Sequence, residues 1–308
     1  MTAAPLPEPV EGLLSWLATE KRRSANTLAA YRRDLAAYIA FLGRRGLALG
    51  DVSEAVVEEY VAFLRASGKA PASVARAVVS VRAVHRFVQE SGGAAGNPAG
   101  GVRTLSVPPG APTVLSVEEV VSLLDAVVGD DAVARRDRAI LEVLYACGLR
   151  VSELVGLSLA DVDRPAGELR VGTATAHARV VPVARPARKA LAAWLAPSAR
   201  GALVPHRWAD RADAEAVFLN ARGGRLSRQG AWRVVHRHGR QVGLGDRLTP
   251  EVLRHSCAAH MLERGADRSV VHQLLGHSPG TAEGAPCVSA ERLRQVYAAA
   301  HPRAGVSE

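Results

Sequence analysis

The sequence predicts a mainly α-helical protein of two domains with one small β-hairpin. Three observations predict this fold class. Apolar residues recur at helical spacing along most of the chain. A stretch dense in glycine and proline interrupts this periodicity and indicates a linker. Two short strand-like runs follow in the second half. We therefore predict an N-terminal domain at 1–92, a linker at 93–113 and a C-terminal domain at 114–308.

Three helices are predicted in the N-terminal domain. Apolar spacing places the first over residues 27–42, where Ser24 or Asn26 could serve as the N-cap. The second covers 52–67 and the third 72–90. Three arginines of the third helix form a basic cluster, which is either a solvated face or a grip on a polyanion: Arg76, Arg82 and Arg86.

The C-terminal domain opens on a capping box, in which Ser116 and Glu119 have the required spacing. A longer apolar helix over 134–159 is expected to break at Gly148 and resume. The hairpin is predicted from two runs, 168–171 and 178–183.

Two further helices have clear N-termini. Ser227 can cap a basic helix, on which Trp232 is interpreted as a core residue. Thr249 and Pro250 predict a helix that begins at Glu251.

The composition favours a polyanion partner. The chain has 39 basic residues, of which only three are lysines, and its formal net charge is +9. Arginine prefers bidentate contacts with phosphate, so nucleic acid is favoured over an ordinary basic surface. No apolar run reaches the ~20 residues of a membrane span, and no signal peptide is visible. Three scattered cysteines indicate reduced thiols in the cytoplasm and no metal site.

Several residues could bind or attack a phosphate. Arg150 stands at a predicted helix start, where free N–H groups favour anions, and Glu153 could orient its guanidinium. The alternative is an ordinary i,i+3 ion pair. Arg254 could bracket a phosphodiester together with Arg150. His255 and His277 could donate a hydrogen bond or a proton, although a core histidine and a turn residue are the plainer interpretations.

The order and wording of these motifs resemble the tyrosine recombinases, in particular the Xer-type branch that resolves chromosome dimers. The resemblance covers nearly the whole chain. It is carried by "SANTLAAYRRDL", "RDRAILEVLYACGLRVSELVGL", "RVVPV", "LTPEVLRHSCAAHMLERGADRSVVHQLLGHS" and "AERLRQVYAAAHPRA".

The resemblance implies a two-domain clamp on double-stranded DNA, with an N-terminal SAM-like helical bundle and a C-terminal catalytic-type domain. Family members cleave one strand through a tyrosine, which becomes a 3′-phosphotyrosyl ester. They exchange strands as a tetramer, and neither ATP nor a metal is required. The residues that match the family's catalytic set are Arg150, Glu153, Arg254, His255 and His277.

Three catalytic positions differ from the family. Thr173 stands where the hairpin lysine is expected, and Glu251 replaces the first histidine of the second arginine box. Ala285 occupies the position of the nucleophilic tyrosine. Cys287 lies two residues beyond, where a small structural thiol is a more ordinary role than a nucleophile. Tyr297 matches a different, non-nucleophilic position of the family's tail.

The resemblance also assigns a DNA-binding helix. The helix that starts "SRQ" lies along the major groove in the family, so Arg228 and Gln229 would reach base edges or phosphates. Arg233 and Arg237 would follow the backbone. The basic cluster of the N-terminal domain would bind the opposite face of the duplex: Arg76, Arg82 and Arg86.

The sequence therefore predicts a site-specific DNA-binding member of the family that does not cleave DNA by itself. It could act alone, as a tetramer, or beside a second, active recombinase. The alternative is a working recombinase that uses Cys287 or a tyrosine donated by a partner. A third hypothesis is a decaying gene product, which would fold without a function.

Overall fold

The computed structural model of the protein describes residues 6–103, 113–173, 178–276 and 288–305. The chain divides into two compact units, Met1–Gly110 and Ala111–Glu308. Each unit has its own cluster of buried apolar side chains. The predicted fold class, mainly helical with a small sheet, is confirmed.

The described part of the N-terminal unit contains four α-helices. Three of them correspond to the predicted helices. The helix over Ala25–Gly43 has Ser24 as its N-cap, and the Ser24 hydroxyl accepts the backbone N–H of Thr27 at 3.2 Å. The first helix was not among the elements predicted from apolar spacing. The helices are α1 (Glu8–Thr19), α2 (Ala25–Gly43), α3 (Glu54–Ala66) and α4 (Pro71–Glu90).

Aromatic rings fill the centre of this bundle. The ring of Tyr60 lies 4.9 Å from that of Tyr38 and 5.0 Å from that of Phe41, centroid to centroid. The Tyr38 hydroxyl is 2.9 Å from Nε2 of His85. Burial lowers the pKa of His85 to about 4, so this histidine is neutral at physiological pH. The aromatic residues are few, but they lie where α2, α3 and α4 meet.

The start of the predicted linker packs against the N-terminal bundle. Ala99 and Val102 are buried in its core. The guanidinium of Arg82 donates to their backbone oxygens, at 3.0 Å and 2.9 Å respectively. Asn97 donates its side-chain amide to the carbonyl of Arg82 at 3.1 Å. The helix therefore ends where glycine and proline become frequent, but the chain stays packed on the bundle beyond residue 93, the predicted start of the linker.

Eight α-helices are described in the C-terminal unit. The capping box of Ser116 and Glu119 forms at the start of α5, and Ser227 and Thr249 cap α9 and α10 as predicted. The helices are α5 (Val117–Asp125), α6 (Ala132–Cys147), α7 (Val151–Gly156), α8 (Arg185–Leu195), α9 (Arg228–Gln241), α10 (Pro250–Glu263), α11 (Arg268–Leu275) and α12 (Ala290–Ala300).

Helix α6 is the central helix of this unit, and it packs against α8 and α10. Every residue from 139 to 147 is buried, which explains why its sequence is almost continuously apolar. The predicted break at Gly148 is confirmed, because this residue adopts a left-handed conformation with φ of 56°. The chain then restarts as α7, which carries the first candidate residues of the site.

The predicted hairpin is part of a three-stranded antiparallel sheet. Strands β2 (Glu168–Val171) and β3 (Arg179–Pro182) pair with Leu169 opposite Val181. A third strand, β1 (Val162–Asp163), pairs with β2 and was not predicted, because two residues are too short to show alternation. The sheet brings the residues that follow β2 and begin β3 to the same end of the hairpin.

Candidate functional site

Arg150 and Glu153 form a tight unit at the start of α7. Arg150 is the N-cap residue, and its backbone N–H donates to Oε2 of Glu153 at 2.8 Å. Its guanidinium donates to Oε1 of the same carboxylate at 3.2 Å. The Arg150 side chain is 37% exposed, whereas that of Glu153 is 10% exposed. The carboxylate thus fixes a guanidinium that still faces solvent.

A second arginine, Arg179, binds the same carboxylate from the other side. Its Nη1 and Nη2 atoms donate to Oε1 and Oε2 of Glu153 at 2.8 Å and 3.1 Å. Its Nε donates to the carbonyl of Leu274 at 2.6 Å. Arg179 was not predicted to belong to the site. A signal was present in the sequence, since this arginine ends the hairpin loop in which the resemblance places a catalytic residue.

Arg254 is the third guanidinium of the cluster and is almost fully buried. It donates to the carbonyl oxygens of Gly148 and Leu275, both at 2.6 Å, and lies 3.8 Å from Oε2 of Glu153. Burial lowers the pKa of Arg254 to about 10, and the charge of Arg150 contributes to this lowering, against the opposing effect of Glu153. The group still carries its charge at neutral pH.

The arginine cluster, defined as Arg150, Arg179 and Arg254 around Glu153, has more positive than negative charge. Burial by itself raises the pKa of Glu153, but the hydrogen bonds and charges of Arg179 and Arg150 outweigh it, and the pKa is lowered. Glu153 is therefore ionised at neutral pH. One carboxylate faces three guanidinium groups, so the excess charge favours an anion such as phosphate.

Two glycines allow this close packing. A Cβ atom on Gly148 would lie 2.5 Å from Cδ2 of Leu275, and one on Gly276 would lie 2.6 Å from Nη1 of Arg179. Both glycines also have positive φ, which disfavours any side chain. The turn after α6 and the end of α11 can therefore approach the arginines closely.

The other candidate residues of the site lie at exposed positions. His255 is exposed, although the preceding Arg254 is buried, so its interpretation as a core histidine is wrong. Neighbours along a helix point to different sides, which separates the two side chains. Glu251 is exposed in the first turn of α10, a position that favours a carboxylate. Thr173 is exposed in the turn that follows β2.

His277, Ala285 and Cys287 lie outside the described residues. The chain on either side of residues 277–287 is attached to α11. Gly276 follows this helix directly, beside the carbonyls that Arg179 and Arg254 bind. On the far side, Val288 exchanges two hydrogen bonds with the side chain of Gln273, at 2.8 Å and 2.9 Å.

Both tyrosines of the C-terminal unit are buried and hydrogen-bonded. The hydroxyl of Tyr297 donates to the carbonyl of Ala146 at 3.0 Å and accepts the N–H of Ala184 at 3.1 Å. The hydroxyl of Tyr145 is 2.8 Å from Nδ1 of His260. Burial raises the pKa of both phenols above its ordinary value. Neither hydroxyl is placed to attack a phosphodiester.

The two described cysteines are also not placed to act as nucleophiles. Cys147 and Cys257 are fully buried, and burial raises the pKa of both thiols, that of Cys257 to about 12. They are therefore protonated at neutral pH and are poor nucleophiles. Within the described residues, no group of histidine, cysteine and carboxylate side chains could hold a metal ion. The described helices also include none that is long and apolar enough to cross a bilayer.

Helix α9 presents a basic exposed face. Arg228, Gln229, Arg233 and Arg237 are all exposed, and no aspartate or glutamate occurs in the helix. Arg237 is also paired with the buried carboxylate of Asp137, which attaches α9 to α6. This pairing leaves the Arg237 side chain 53% exposed. The four predicted DNA-binding residues of α9 therefore share one accessible surface.

Trp232 lies on this exposed face, so its interpretation as a core residue is wrong. The side that packs inward consists of Ala231, Val234, Val235, His238 and Gly239. Position 232 falls outside that stripe, and the residue is 43% exposed. Its hydrophobicity suggested the core, but its position in the helical repeat decides its burial.

The three arginines of α4 have different environments. Arg76 is bound to Asp34 through two hydrogen bonds of 2.8 Å and 2.9 Å, yet remains half exposed. Arg82 is committed to the carbonyls of Ala99 and Val102, so its guanidinium stabilises the fold. Arg86 is exposed. In the basic cluster predicted from sequence, Arg82 is therefore committed to the fold, and Arg76 neutralises the buried carboxylate of Asp34 while staying half exposed.

Comparisons with known proteins cover both units. The phage integrase family matches residues 113–281, and the phage integrase N-terminal SAM-like domain matches residues 10–92. The chain is 42% identical over 318 residues to tyrosine recombinase XerD of Mycobacterium leprae (strain TN), covering 99% of this chain and 100% of that protein. It is 34% identical over 311 residues to tyrosine recombinase XerC of Pelobacter propionicus, covering 99% and 98%.

A solved structure shows the same fold. The lambda integrase (75–356) dimer bound to a COC′ core site superposes with a TM-score of 0.66 at 20% identity, over 91% of this chain and 97% of that one. At this level of identity the likeness concerns the fold alone.

Proposed function

Because this chain belongs to the phage integrase family, as a tyrosine recombinase of the Xer type, we propose that it binds a specific DNA site but does not cleave DNA by itself. Site-specific recombination is the activity of its family. The proposal keeps the recognition step of that activity for this chain. The cleavage step would then belong to another protein or would not take place.

The binding half of the proposal is supported by charge and placement. Helix α9 carries exposed arginines without any carboxylate, on a chain with a net charge of +9. Arg228 and Gln229 lie beside its N-terminus, where side chains and free N–H groups suit phosphates and base edges. On the N-terminal unit, Arg76 and Arg86 remain exposed for the same purpose.

One observation supports the proposal that this chain does not cleave DNA by itself. Of the five tyrosines in the chain, only Tyr145 and Tyr297 lie in the C-terminal unit, and both hydroxyls are buried in hydrogen bonds. The segment between Gly276 and Val288 contains no tyrosine. A covalent intermediate requires a nucleophile that reaches the phosphorus. Without a phenol at position 285, this chain supplies none of the family's kind.

The arginine cluster still suits a phosphate. Arg254 donates two of its five N–H groups to carbonyls, and Arg150 is held by Glu153 with its guanidinium partly exposed. Such groups would bind the scissile phosphate and stabilise developing charge, but they cannot form the ester. Thr173 offers no ammonium to protonate the leaving oxygen, and Glu251 would repel the phosphate.

The test is covalent trapping on a nicked duplex that carries a site recovered by genomic pull-down with this chain. We expect no covalent adduct with this protein alone, and an adduct with a Xer recombinase that has its tyrosine. An adduct with this chain alone would contradict the proposal. The Cys287→Ala variant would then show whether the thiol is the nucleophile, which is the alternative function.

A second experiment tests whether this chain assembles on DNA with an active recombinase. Mixing this chain with an active Xer recombinase on the same duplex tests whether the two share a site. An adduct that contains this chain only in the mixture would indicate a nucleophile donated by the partner. An adduct of the partner alone, with this chain bound beside it, would support a mixed tetramer in which our protein contributes binding.

A gel shift separates DNA binding from the hypothesis of a decaying gene product. We expect the recovered site to bind at least a thousandfold more tightly than a shuffled duplex, the lower end of the roughly 10³–10⁷ range for specific proteins. Equal affinity for both duplexes at physiological salt would contradict site-specific binding. In that case the folded chain would have no demonstrated function.

A further inference from the structure

Trp232 is the most exposed of the four tryptophans. It is 43% exposed, compared with 36% for Trp16, while Trp194 is buried. Its indole stacks on the ring of His236, with centroids 4.7 Å apart and planes inclined by 17°. His236 is in turn bound through Nε2 to Asp246 at 2.9 Å. One face of the indole therefore rests on the ring of His236, and the other side of the residue is open to solvent.

The surroundings of Trp232 indicate what covers it. It lies four residues after Arg228 and three residues after Gln229, so these side chains are neighbours on the exposed side of α9. Gln229, Arg233, Arg237 and Arg240 follow one another at spacings of three and four residues and form a stripe beside it. Helix α9 contributes several arginines and no carboxylate to this face, and the exposed Asp246 beside His236 is outnumbered by them, so the face is complementary to a polyanion rather than to another copy of this basic chain.

Double-stranded DNA offers few apolar surfaces to such a ring. The faces of paired bases are stacked and closed to a side chain. The major groove presents the thymine 5-methyl group, which proteins contact with apolar side chains. An indole held beside arginines can reach such a methyl while the guanidinium groups bind the phosphates on either side.

We propose that Trp232 contacts a thymine methyl group in the major groove and is a specificity-determining residue of this protein. The proposal rests on the proposed DNA-binding function and adds a hydrophobic contact to the polar contacts expected of Gln229 and the arginines. His236 is the positioning residue, because the indole stacks on its ring.

The experiment replaces each thymine of the recovered site by deoxyuridine, which removes only the methyl group. Binding of the wild-type chain is expected to weaken about fourfold at one position or at two neighbouring positions, the value of one buried methyl group. Trp232→Ala is expected to bind the natural site several times more weakly and to lose that sensitivity. Trp16→Ala, which removes an exposed indole from the other unit, should retain it.

Two further measurements distinguish a lost methyl contact from a lost charge and from a loss of folding. The salt dependence of binding should not change in Trp232→Ala, because no charge is removed. Thermal unfolding should be nearly unchanged, because the residue is exposed. His236→Ala should show a smaller loss of thymine sensitivity, since the indole is still present but is no longer held.

The results that overturn the inference differ from those that overturn the proposed function. If Trp232→Ala keeps the same deoxyuridine penalties, or weakens binding to every sequence equally, Trp232 does not read a methyl group. The same holds if the variant only changes the association state of the chain. If the wild-type chain binds no recovered site specifically, the proposed function is wrong and the inference fails with it.

Discussion

Glu153 organises the arginine cluster through its two oxygen atoms. It receives hydrogen bonds from Arg150 three residues away and from Arg179 on the hairpin. It also lies within ion-pair distance of Arg254. A carboxylate in this position offsets charges that would otherwise repel one another in a partly buried space. The same contacts therefore stabilise the fold and keep the three guanidinium groups close together.

Glu153→Gln is expected to lower the free energy of unfolding by about 3–5 kcal/mol, because it leaves buried guanidinium groups without a counter-charge. Urea denaturation measures this change. The matched control is Glu251→Gln, which removes an exposed carboxylate and should change stability by about 0.5 kcal/mol or less. Equal effects of the two variants would contradict a central role for Glu153.

His85 predicts how the stability of the N-terminal unit depends on pH. Its pKa is lowered from 6.5 to about 4 by burial. As the pH falls below 6.5 the unfolded chain binds a proton that the folded chain does not, so stability decreases until about pH 4. The expected loss is about 1.4 kcal/mol per pH unit in this range.

Urea denaturation at pH 7 and at pH 4.5 tests this expectation. Carboxylates also titrate in this range, so the comparison with His85→Gln isolates the histidine. The variant is expected to be less stable at pH 7 and to lose less stability on acidification. If both proteins lose the same amount, the buried histidine does not determine the pH dependence.

Position 285 tests whether a tyrosine there is by itself enough for DNA cleavage. Ala285→Tyr by itself is expected to form no covalent adduct, because Thr173 and Glu251 still stand where the family has a lysine and a histidine. Covalent trapping on the recovered site measures this. The comparison protein carries Thr173→Lys and Glu251→His in addition. Efficient adduct formation by the single variant would show that the other two positions matter less.

At the scale of elements, helix α4 combines a structural face with an exposed one. Arg82 and Arg86 are four residues apart, yet Arg82 binds the carbonyls of Ala99 and Val102 while Arg86 is exposed. Their spacing in the sequence is the same as that of two residues on one binding surface. Only the path of the chain after α4 gives Arg82 its internal partners.

Arg82→Ala is expected to change the stability of the protein, and Arg86→Ala its binding of DNA. The first should lower the free energy of unfolding by about 1–3 kcal/mol, because two carbonyls lose a charged donor. The second should leave stability within about 0.5 kcal/mol and weaken DNA binding. Urea denaturation and gel shifts on both variants measure these changes. A loss of DNA affinity in Arg82→Ala without a loss of stability would contradict this assignment.

Helix α9 shows how an element can be predicted correctly while one of its residues is assigned wrongly. Its cap at Ser227 and its basic character follow from local sequence. The exposure of Trp232 does not follow from it, because tryptophan is an apolar residue that is usually buried, whereas Trp232 lies on the exposed side of the helix. The stack on His236 compensates for part of its exposure.

At the scale of the whole molecule, positive charge is the dominant property. A net charge of +9 attracts polyanions before any specific contact forms. Under the proposed function, a small number of residues on α9 would supply the specificity for DNA. The arginines would supply most of the affinity.

The affinity for DNA is expected to fall steeply with salt. If six to ten phosphates are contacted, the association constant decreases by roughly 10³–10⁵ between 50 and 200 mM salt. Arg233→Ala should reduce the slope of log K against log salt by about 1, whereas Gln229→Ala should leave the slope unchanged. Fluorescence anisotropy at several salt concentrations measures both. Binding that does not depend on salt would contradict recognition through phosphates.

The amino-acid sequence determined by itself the helical fold class, the caps at Ser116, Ser227 and Thr249, and membership of the family. For α2 it left the cap open between Ser24 and Asn26, and the structure shows Ser24. It also determined that no tyrosine follows Tyr145 until Tyr297. These properties depend on local spacing, on composition and on the wording of motifs. They can be read without knowing which residues meet in space.

Tertiary structure alone decided that Arg179 shares Glu153 with Arg150, that Arg82 binds the segment of chain that returns after α4, and that Trp232 is exposed. It also decided that the hydroxyl of Tyr297 is enclosed between α6 and the start of α8. The physical reason is that burial and partnership are set by residues distant in the chain. A residue's type and its immediate neighbours do not specify which distant carbonyl or carboxylate will reach it.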